Sequence, residues 1–374
     1  MASNSDPRRN ARSRAVWAAL VPALALCAAG PFAASAGAQA PRPADAGWHD
    51  ASPHRVFRVN TGRDVDVEVL DWGGNGPPLI FLAGFGNTAH VWDDFAPRFV
   101  PGYHVIAITR RGFGASSQPD QGYDSETLAN DVLAVMDQMR WERALFVAHS
   151  FGGSELNWLA ARMPRRVIRM VYLDAAFDFA ELYATREWTA GPFPRPRFPD
   201  NDAATPATLA AWLSVFAGPG YPESEVRAMY EVDAAGHVGR PRIASGVEQK
   251  LRAGAAPAML TRFLPPAVAL YAEPRNVREK YPWYAQMTPA EQRAAQARFE
   301  VERRIVRRQQ ERFRVARASG IIHVAGGRHY LFLSNPGYVE ARIRRYFALP
   351  IRGKSSPDGR GGYTYQTMFG GRSQ

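Results

Sequence analysis

The stretch LFVAHSFGGSE, residues 145–155, decides the fold. Its first four residues are apolar, as in a buried strand, and Ser150 follows among small residues. Ala148 lies two positions before the serine and Gly152 lies two positions after it, so neighbouring backbone can approach closely at a sharp turn. Such a segment is either an ordinary tight turn or one that presents the hydroxyl of Ser150 above a sheet, at the N-terminus of a helix.

Short apolar runs of the same kind recur along the chain. HRVFRVN and DVDVEVLDWG alternate between apolar and polar residues with TGR between them, which predicts an antiparallel hairpin. The later runs are PPLIFLAG, YHVIAIT, ALFVA, RVIRMVYLDAA, PPAVALYAEP and SGIIHVAGG. Most of them are separated by helix-like stretches, and strands that are apolar on both faces predict a parallel sheet covered by helices on both sides.

Composition changes along the chain predict four parts. Residues 1–38 carry four arginines, then an apolar stretch and small residues, which is typical of a secretory signal peptide. Residues 39–174 and 266–350 form the sheet-containing core. In 175–265 the alternation breaks into Pro, Trp and short helical pieces, and roughly 90 residues without a strand predict a helical cap over the sheet. Residues 351–374, rich in Gly, Ser and Arg, predict a disordered tail.

The signal peptide implies an exported bacterial protein, periplasmic or secreted, with no stable membrane span once the signal is removed. Cys27, the only cysteine, lies in that segment, so the mature chain has no disulfide and no cysteine nucleophile. Much of the net charge of +11 lies in RFEVERRIVRRQQERFRVARA, which predicts an amphipathic helix, and no nucleic-acid motif accompanies it. No His, Asp or Glu spacing matches a metal site and no phosphate loop is present, so we expect no metal and no cofactor.

Two further segments place candidate catalytic groups directly after predicted strands. FLAGFGNTAHVWDDFAP puts Gly84, Phe85 and Gly86 directly after an apolar strand, where a backbone amide can face a developing oxyanion. HVAGGRHYLFLSNP puts His329 on a loop after the last strand, where a general base is needed. Glycines after strands are common, but the order and spacing of these segments relative to Ser150 favour a catalytic arrangement.

With these segments, the chain resembles the α/β-hydrolase fold family, specifically its lidded esterase- and aminopeptidase-like members. The resemblance runs from about His54 to Leu349 and implies an α/β fold: an eight-stranded mostly parallel sheet with helices on both faces and a cap inserted after the sixth strand. It also implies that Ser150 is the nucleophile and His329 the general base, and that the oxyanion hole is formed by the amides of Phe85 and Phe151.

The chain departs from the family's pattern at several positions. Ala148 replaces the usual glycine before the nucleophile, Ala83 replaces the histidine before the oxyanion residue, and Thr109 stands where many relatives have aspartate. None of these changes removes a catalytic atom.

The acid of the triad is left open by the sequence. The family's order places it between the serine and the histidine, usually after the strand AVALYAEPRN, where this chain has Asn276. An asparagine can hold the imidazole but cannot offset the imidazolium charge. We therefore favour Asp174, at the end of the preceding strand, with Glu273 and Asn276 as alternatives and Asp178 as a longer reach.

The resulting hypothesis is an exported serine hydrolase, most simply a carboxylic-ester hydrolase, that cleaves an ester, amide or lactone through an acyl-enzyme. Its partner is a small-molecule acyl substrate, and the oligomeric state is left undetermined. One alternative is an aminopeptidase for short peptides, which needs acidic cap residues to hold a free amine. The candidates for that role are Glu181, Glu187 and Glu231. The other alternative is a hydrolase-fold binding protein with a decayed triad.

Overall fold

The computed structural model describes residues 48–189, 194, 196, 204–258, 265–317 and 320–350. The predicted signal peptide, residues 1–38, and the predicted tail, residues 351–374, lie outside these ranges. Within them, no helix combines the length and the apolar character that crossing a membrane requires.

Ten strands are present in the described residues, and eight of them form one sheet. In chain order they are β1 (Arg55–Asn60), β2 (Asp66–Gly73), β3 (Pro78–Leu82), β4 (His104–Thr109), β5 (Ala144–His149), β6 (Val167–Leu173), β7 (Tyr230–Val232), β8 (Val238–Pro241), β9 (Ala267–Glu273) and β10 (Gly320–Ala325). The large sheet has the order β1-β2-β4-β3-β5-β6-β9-β10. Within this large sheet, only the β1–β2 and β2–β4 pairs are antiparallel, which confirms the predicted fold class.

Helices cover both faces of this sheet. Those of the described residues are α1 (Ser125–Gln138), α2 (Gly152–Arg162), α3 (Phe179–Ala184), α4 (Arg186–Thr189), α5 (Pro206–Ala217), α6 (Glu223–Met229), α7 (Val247–Gly254), α8 (Val277–Lys280), α9 (Pro289–Arg317), α10 (Leu331–Ser334) and α11 (Pro336–Phe347). Short 3₁₀ helices include Ala89–Trp92, which follows β3.

Two hydrophobic clusters, one on each face, explain why the central strands are apolar throughout. In β3, Ile80 and Leu82 belong to one cluster, whereas Leu79 and Phe81 belong to the other. Because successive side chains of a strand point to opposite faces, burial of both faces requires an uninterrupted apolar run. The same requirement accounts for β5, in which every residue is buried.

The segment between β6 and β9 contains helices α3 to α7 and also a small antiparallel hairpin, β7–β8. The expectation that this segment has no strand is therefore wrong. The two strands have three and four residues, too few to show alternation, and the turn between them depends on Asp233 and Gly236. The division into core and cap at residues 175–265 stays a prediction.

Candidate active site

Ser150 occupies a strained turn between β5 and α2. Its φ is 48°, in the left-handed region that residues other than glycine rarely adopt. The backbone N–H of Ser150 donates to the carbonyl of Leu173 at 3.2 Å, and the N–H of Gly153 donates to the carbonyl of Ser150 at 2.9 Å. These two bonds hold the turn in place, so the serine stands at the end of β5 directly before the first turn of α2.

The glycines after Ser150 are required by the approach of neighbouring backbone. A Cβ on Gly152 would lie 2.7 Å from the carbonyl oxygen of Leu82, and one on Gly153 would lie 2.1 Å from that of Ala175. Both distances are too short for any side chain. The sequence signal around Ser150 therefore has a steric cause: the ends of β3 and β6 enclose the turn.

His329 and Asp174 come together beyond the carboxyl ends of the strands, after β10 and β6 respectively. Nδ1 of His329 lies 2.7 Å from Oδ2 of Asp174, and the side chains are 13% and 14% exposed. Asp174 follows β6 with a φ of 48°, and its N–H donates to the carbonyl of Leu270 at 2.7 Å. The N–H of Ala272 adds a bond of 3.4 Å to Oδ1. A fixed carboxylate on Nδ1 orients the imidazole and leaves Nε2 as its free basic atom.

Nε2 of His329 is buried and has no hydrogen-bond partner among the described residues. Beside it, His149 lies next to the serine in the chain, and its ring centroid is 4.7 Å from that of His329. Nε2 of His149 donates to the backbone carbonyl of His329 at 3.1 Å. Burial, with the nearby His329, holds the pKa of His149 well below its ordinary value, so His149 is a neutral donor that fixes the loop of His329.

The amides of Phe85 and Phe151 donate to no acceptor within the described part of the chain. Phe151 is the N-cap residue of α2, and its ring packs edge-to-face on that of Phe85 at 5.7 Å. A Cβ on Gly84 would lie 3.1 Å from Cβ of Ser150, which shows how closely residues 83–88, here called the oxyanion loop, approach the serine. Unpaired amides beside a serine hydroxyl are the arrangement of donors that an oxyanion hole requires.

Arg110, which the sequence patterns did not identify as a site residue, supports the oxyanion loop from the core. Its guanidinium donates to the carbonyls of Ala83 at 2.8 Å and Gly84 at 3.2 Å, and it forms a buried ion pair with Glu155 of α2. The available signal was an arginine directly after a buried strand, in ITRRGFGASSQP, residues 108–119. Arg110 therefore fixes the peptides that precede the amide of Phe85.

Glu225 of α6, also missed, holds the same loop from the inserted segment. The fully buried carboxylate accepts hydrogen bonds from the N–H of Thr88 at 3.0 Å, from the hydroxyl of Thr88, and from Nδ2 of Asn87 at 2.9 Å. Asn87 in turn accepts a bond of 3.1 Å from the hydroxyl of Tyr330, next to His329. Burial raises the pKa of Glu225 to about 7, although the bonds from Thr88 and Asn87 oppose the rise.

The alternative acids lie elsewhere. Oδ1 of Asn276 caps α8 by accepting from the N–H groups of Arg278 and Glu279. Glu273 is exposed, with a carboxylate oxygen 3.6 Å from Nδ1 of His323. Asp178 caps α3. Among the described residues, the carboxylate that contacts His329 is that of Asp174.

Comparison with known proteins gives the family. The model of the alpha/beta hydrolase fold family matches residues 77–273, more than half of the chain. A non-heme chloroperoxidase of Streptomyces lividans is 37% identical over 120 residues, which are 31% of this chain and 44% of that protein. The 3-oxoadipate enol-lactonase 2 of Acinetobacter baylyi is 32% identical over 125 residues, covering 33% and 47%. The chain thus spans less than half the length of these curated relatives.

Solved structures agree on the fold. The crystal structure of E-2-(acetamidomethylene)succinate hydrolase superimposes with a TM-score of 0.57 at 18% identity, covering 79% of this chain and all of that one. A thioesterase domain from the curacin biosynthetic pathway gives 0.54 at 16% identity, with 78% and 99% covered. At this identity the likeness concerns the fold alone. Together with the family match and the eight-stranded sheet, it establishes that the chain belongs to the alpha/beta hydrolase fold family.

Proposed function

We propose that this protein is an exported serine hydrolase that cleaves an ester, amide or lactone bond in a small acyl substrate, with carboxylic esters as the main class. The observation that carries the proposal is the 2.7 Å contact between His329 Nδ1 and Asp174 Oδ2, with Ser150 on the adjacent turn. Two of the three residues have left-handed backbone, and such strain persists only where the surrounding structure holds it.

In the first half of the reaction, the hydroxyl oxygen of Ser150 attacks the substrate carbonyl and Nε2 of His329 takes its proton. Asp174 offsets the charge of the imidazolium formed. The amides of Phe85 and Phe151 donate to the oxyanion of the tetrahedral intermediate. The intermediate collapses, the imidazolium returns its proton to the leaving alcohol, amine or ring oxygen, and an acyl ester forms on Ser150.

In the second half, His329 deprotonates a water molecule, which attacks the acyl ester through the same oxyanion site. Collapse of that intermediate releases the carboxylic acid and restores the hydroxyl of Ser150. The chain's own residues supply every proton transfer in this cycle. Similarity to a protein named as a lactonase favours cleavage of C–O acyl bonds.

The aminopeptidase alternative is less well supported. It needs an acidic side chain on the inserted segment that is free to hold an amine, but Glu181 pairs with Arg308 and Arg312, and Glu231 pairs with Arg240 at 2.8 Å. The third candidate, Glu187 of α4, is exposed to solvent. The alternative of a decayed binding protein rested on Asn276, which stands where the family usually has the acid. Since Asp174 offers a carboxylate to His329, an asparagine at position 276 does not imply a decayed triad.

Labelling with a fluorophosphonate tests the proposal. We expect one adduct on Ser150 in the wild type and in Ser154→Ala, a matched serine one turn along α2, and none in Ser150→Ala. We also expect p-nitrophenyl acyl esters to be hydrolysed faster than amino-acid anilides. Absence of an adduct on folded protein, or equal ester turnover by wild type and Ser150→Ala, would overturn the assignment.

Export is tested separately. When the full chain is expressed in a bacterial host, we expect it in the periplasm or the medium, with a mature N-terminus at Gln39. Intact protein that stays in the cytoplasm and begins at Met1 would contradict export without affecting the catalytic assignment.

A further inference from the structure

Four side chains that the hydrolase site does not use form a cluster at the start of the described chain. Asp50 and His54 precede β1, His90 lies in the 3₁₀ helix Ala89–Trp92, and Asp93 follows that helix. One ligand atom from each of the four lies within 4.8 Å of all the others. We propose that this cluster binds a divalent transition-metal ion, best matched by Zn²⁺, as a structural site.

The spacing of the ligand atoms fits tetrahedral coordination. Nδ1 of His54 lies 3.3 Å from Oδ1 of Asp93, and Nδ1 of His90 lies 3.2 Å from Oδ2 of Asp50. Zinc bonds of about 2.0–2.2 Å to nitrogen and oxygen place neighbouring tetrahedral ligands about 3.3 Å apart. The imidazoles of His54 and His90 cross at 67° with centroids 5.4 Å apart, so both can point a nitrogen at one central ion.

Buried atoms without partners are the second, independent observation. Nδ1 of His54, Oδ1 of Asp93 and Oδ2 of Asp50 are buried and have no hydrogen-bond partner in the described residues. The side chains of His54 and Asp93 are each only 3% exposed. Unsatisfied buried polar atoms are uncommon in folded proteins, and three around one point favour a binding site at that point.

Charge also favours a cation. When both imidazoles are in the neutral form that binds a metal, the two carboxylates give the cluster a charge of −2, which one divalent ion neutralises. A single proton shared within the cluster would leave −1 in a largely buried position, which is costly. Two imidazole nitrogens favour zinc over calcium or magnesium, which prefer oxygen ligands.

The surroundings orient the ligands as in known metal sites. The hydroxyl of Ser224 donates to Oδ2 of Asp93, and the N–H of Ser52 donates to Oδ1 of Asp50 at 2.9 Å. Outer-shell bonds of this kind fix ligating carboxylates. Since four protein atoms complete the tetrahedron, the site is structural, and it ties the segment before β1 to the 3₁₀ helix.

Ser224 also links this site to the inserted segment. It precedes Glu225, which holds Asn87 and Thr88 of the oxyanion loop, and the side chain of Thr88 accepts a bond from the N–H of His90 at 3.2 Å. A metal at the cluster therefore stabilises the region that α6 contacts. The proposal stands on these contacts and does not depend on the hydrolase assignment.

Zinc titration of the mature, chelator-treated protein tests the site. We expect one Zn²⁺ per chain by calorimetry and a higher melting temperature with zinc. With Co²⁺ we expect the intense visible absorption of a tetrahedral complex. His54→Gln should weaken binding by at least about 100-fold and Ser224→Ala by about 10-fold. His237 forms an exposed pair with Asp233 outside the cluster, so His237→Gln should leave zinc binding unchanged.

Less than stoichiometric binding by the wild type, or equal affinity in His54→Gln and His237→Gln, would overturn the proposal. An octahedral cobalt spectrum would overturn the four-ligand site. Circular dichroism of each variant shows whether it folds. If His54→Gln does not fold, Asp50→Asn takes its place, with the same expected loss, because Asp50 is the more exposed carboxylate of the cluster.

Discussion

The oxyanion loop is held from two sides by two buried carboxylates with opposite surroundings. On the core side, Glu155 pairs with Arg110, whose guanidinium also donates to the carbonyls of Ala83 and Gly84. On the side of the segment between β6 and β9, Glu225 is fully buried, and the hydrogen bonds it accepts come from neutral donors of Asn87 and Thr88.

The difference shows which attachment responds to pH. A buried carboxylate next to a guanidinium gains Coulomb energy that offsets part of its desolvation cost, whereas one among neutral donors retains most of that cost. Burial raises the pKa of both carboxyls, but the charge and hydrogen bond of Arg110 oppose the rise at Glu155, whereas the pKa of Glu225 reaches about 7. The loop is thus held on one side through the charged pair of Arg110 and Glu155, and on the other side by a carboxyl that titrates near neutral pH.

The largest expected effect tests whether Asp174 supplies the carboxylate that acts on His329. Asp174→Asn should lower kcat by about 10⁴-fold, as for the corresponding change in a serine protease, because the amide cannot offset the imidazolium charge. Glu273→Gln, at the last residue of β9, should change kcat less than about 2-fold, since Glu273 is exposed and pairs with His323. Steady-state ester hydrolysis measures both, and a larger loss in the Glu273 variant would reverse the assignment.

The next effect concerns the stability that depends on the ion pair between Arg110 and Glu155. Arg110→Met should lower the free energy of unfolding by about 3–5 kcal/mol, because it leaves the charge of Glu155 buried without a partner. Arg240→Met breaks an exposed pair with Glu231 and should leave the free energy of unfolding nearly unchanged. Urea denaturation of both variants at the same pH compares their losses of unfolding free energy. Equal losses would mean that the Arg110–Glu155 pair supports the fold no more than an exposed pair does.

The third effect tests the titration of Glu225. The raised pKa of Glu225 means that the folded state binds more protons than the unfolded state between about pH 4.5 and pH 7. Stability should therefore fall as pH rises through this window, by up to about 3 kcal/mol, and Glu225→Gln should remove that part of the slope. Urea denaturation from pH 4.5 to 8 with a chelator measures it. An unchanged slope in the variant would remove the contrast between the two sides.

The smallest effect concerns the link between Thr88 and Glu225. Thr88→Val removes a hydroxyl that donates to Glu225 and accepts from the N–H of His90, so we expect a loss of about 1–2 kcal/mol. A double-mutant cycle with Glu225→Gln should show coupling above about 0.5 kcal/mol. Additive losses would mean that the two residues act independently.

Local patterns predicted much of the sheet. Each of the eight strands of the large sheet falls on an apolar or alternating run, because strand burial on one or two faces leaves that pattern directly in the sequence. The β7–β8 hairpin escaped prediction because strands of three and four residues are too short to show one. Arg110 and Glu225 escaped because nothing in a single charged residue tells whether it is buried.

The sequence by itself determined the order of the strands along the chain, the small residues at the turn of Ser150, and the position of His329 after the last strand. These are local features, and steric limits at each turn dictate them. Only the tertiary structure decided that Asp174, 155 residues from His329, is the carboxylate against it, and that Asp50, His54, His90 and Asp93 converge. Such contacts depend on which strand ends are neighbours in the sheet, and periodicity along the chain carries no information about that.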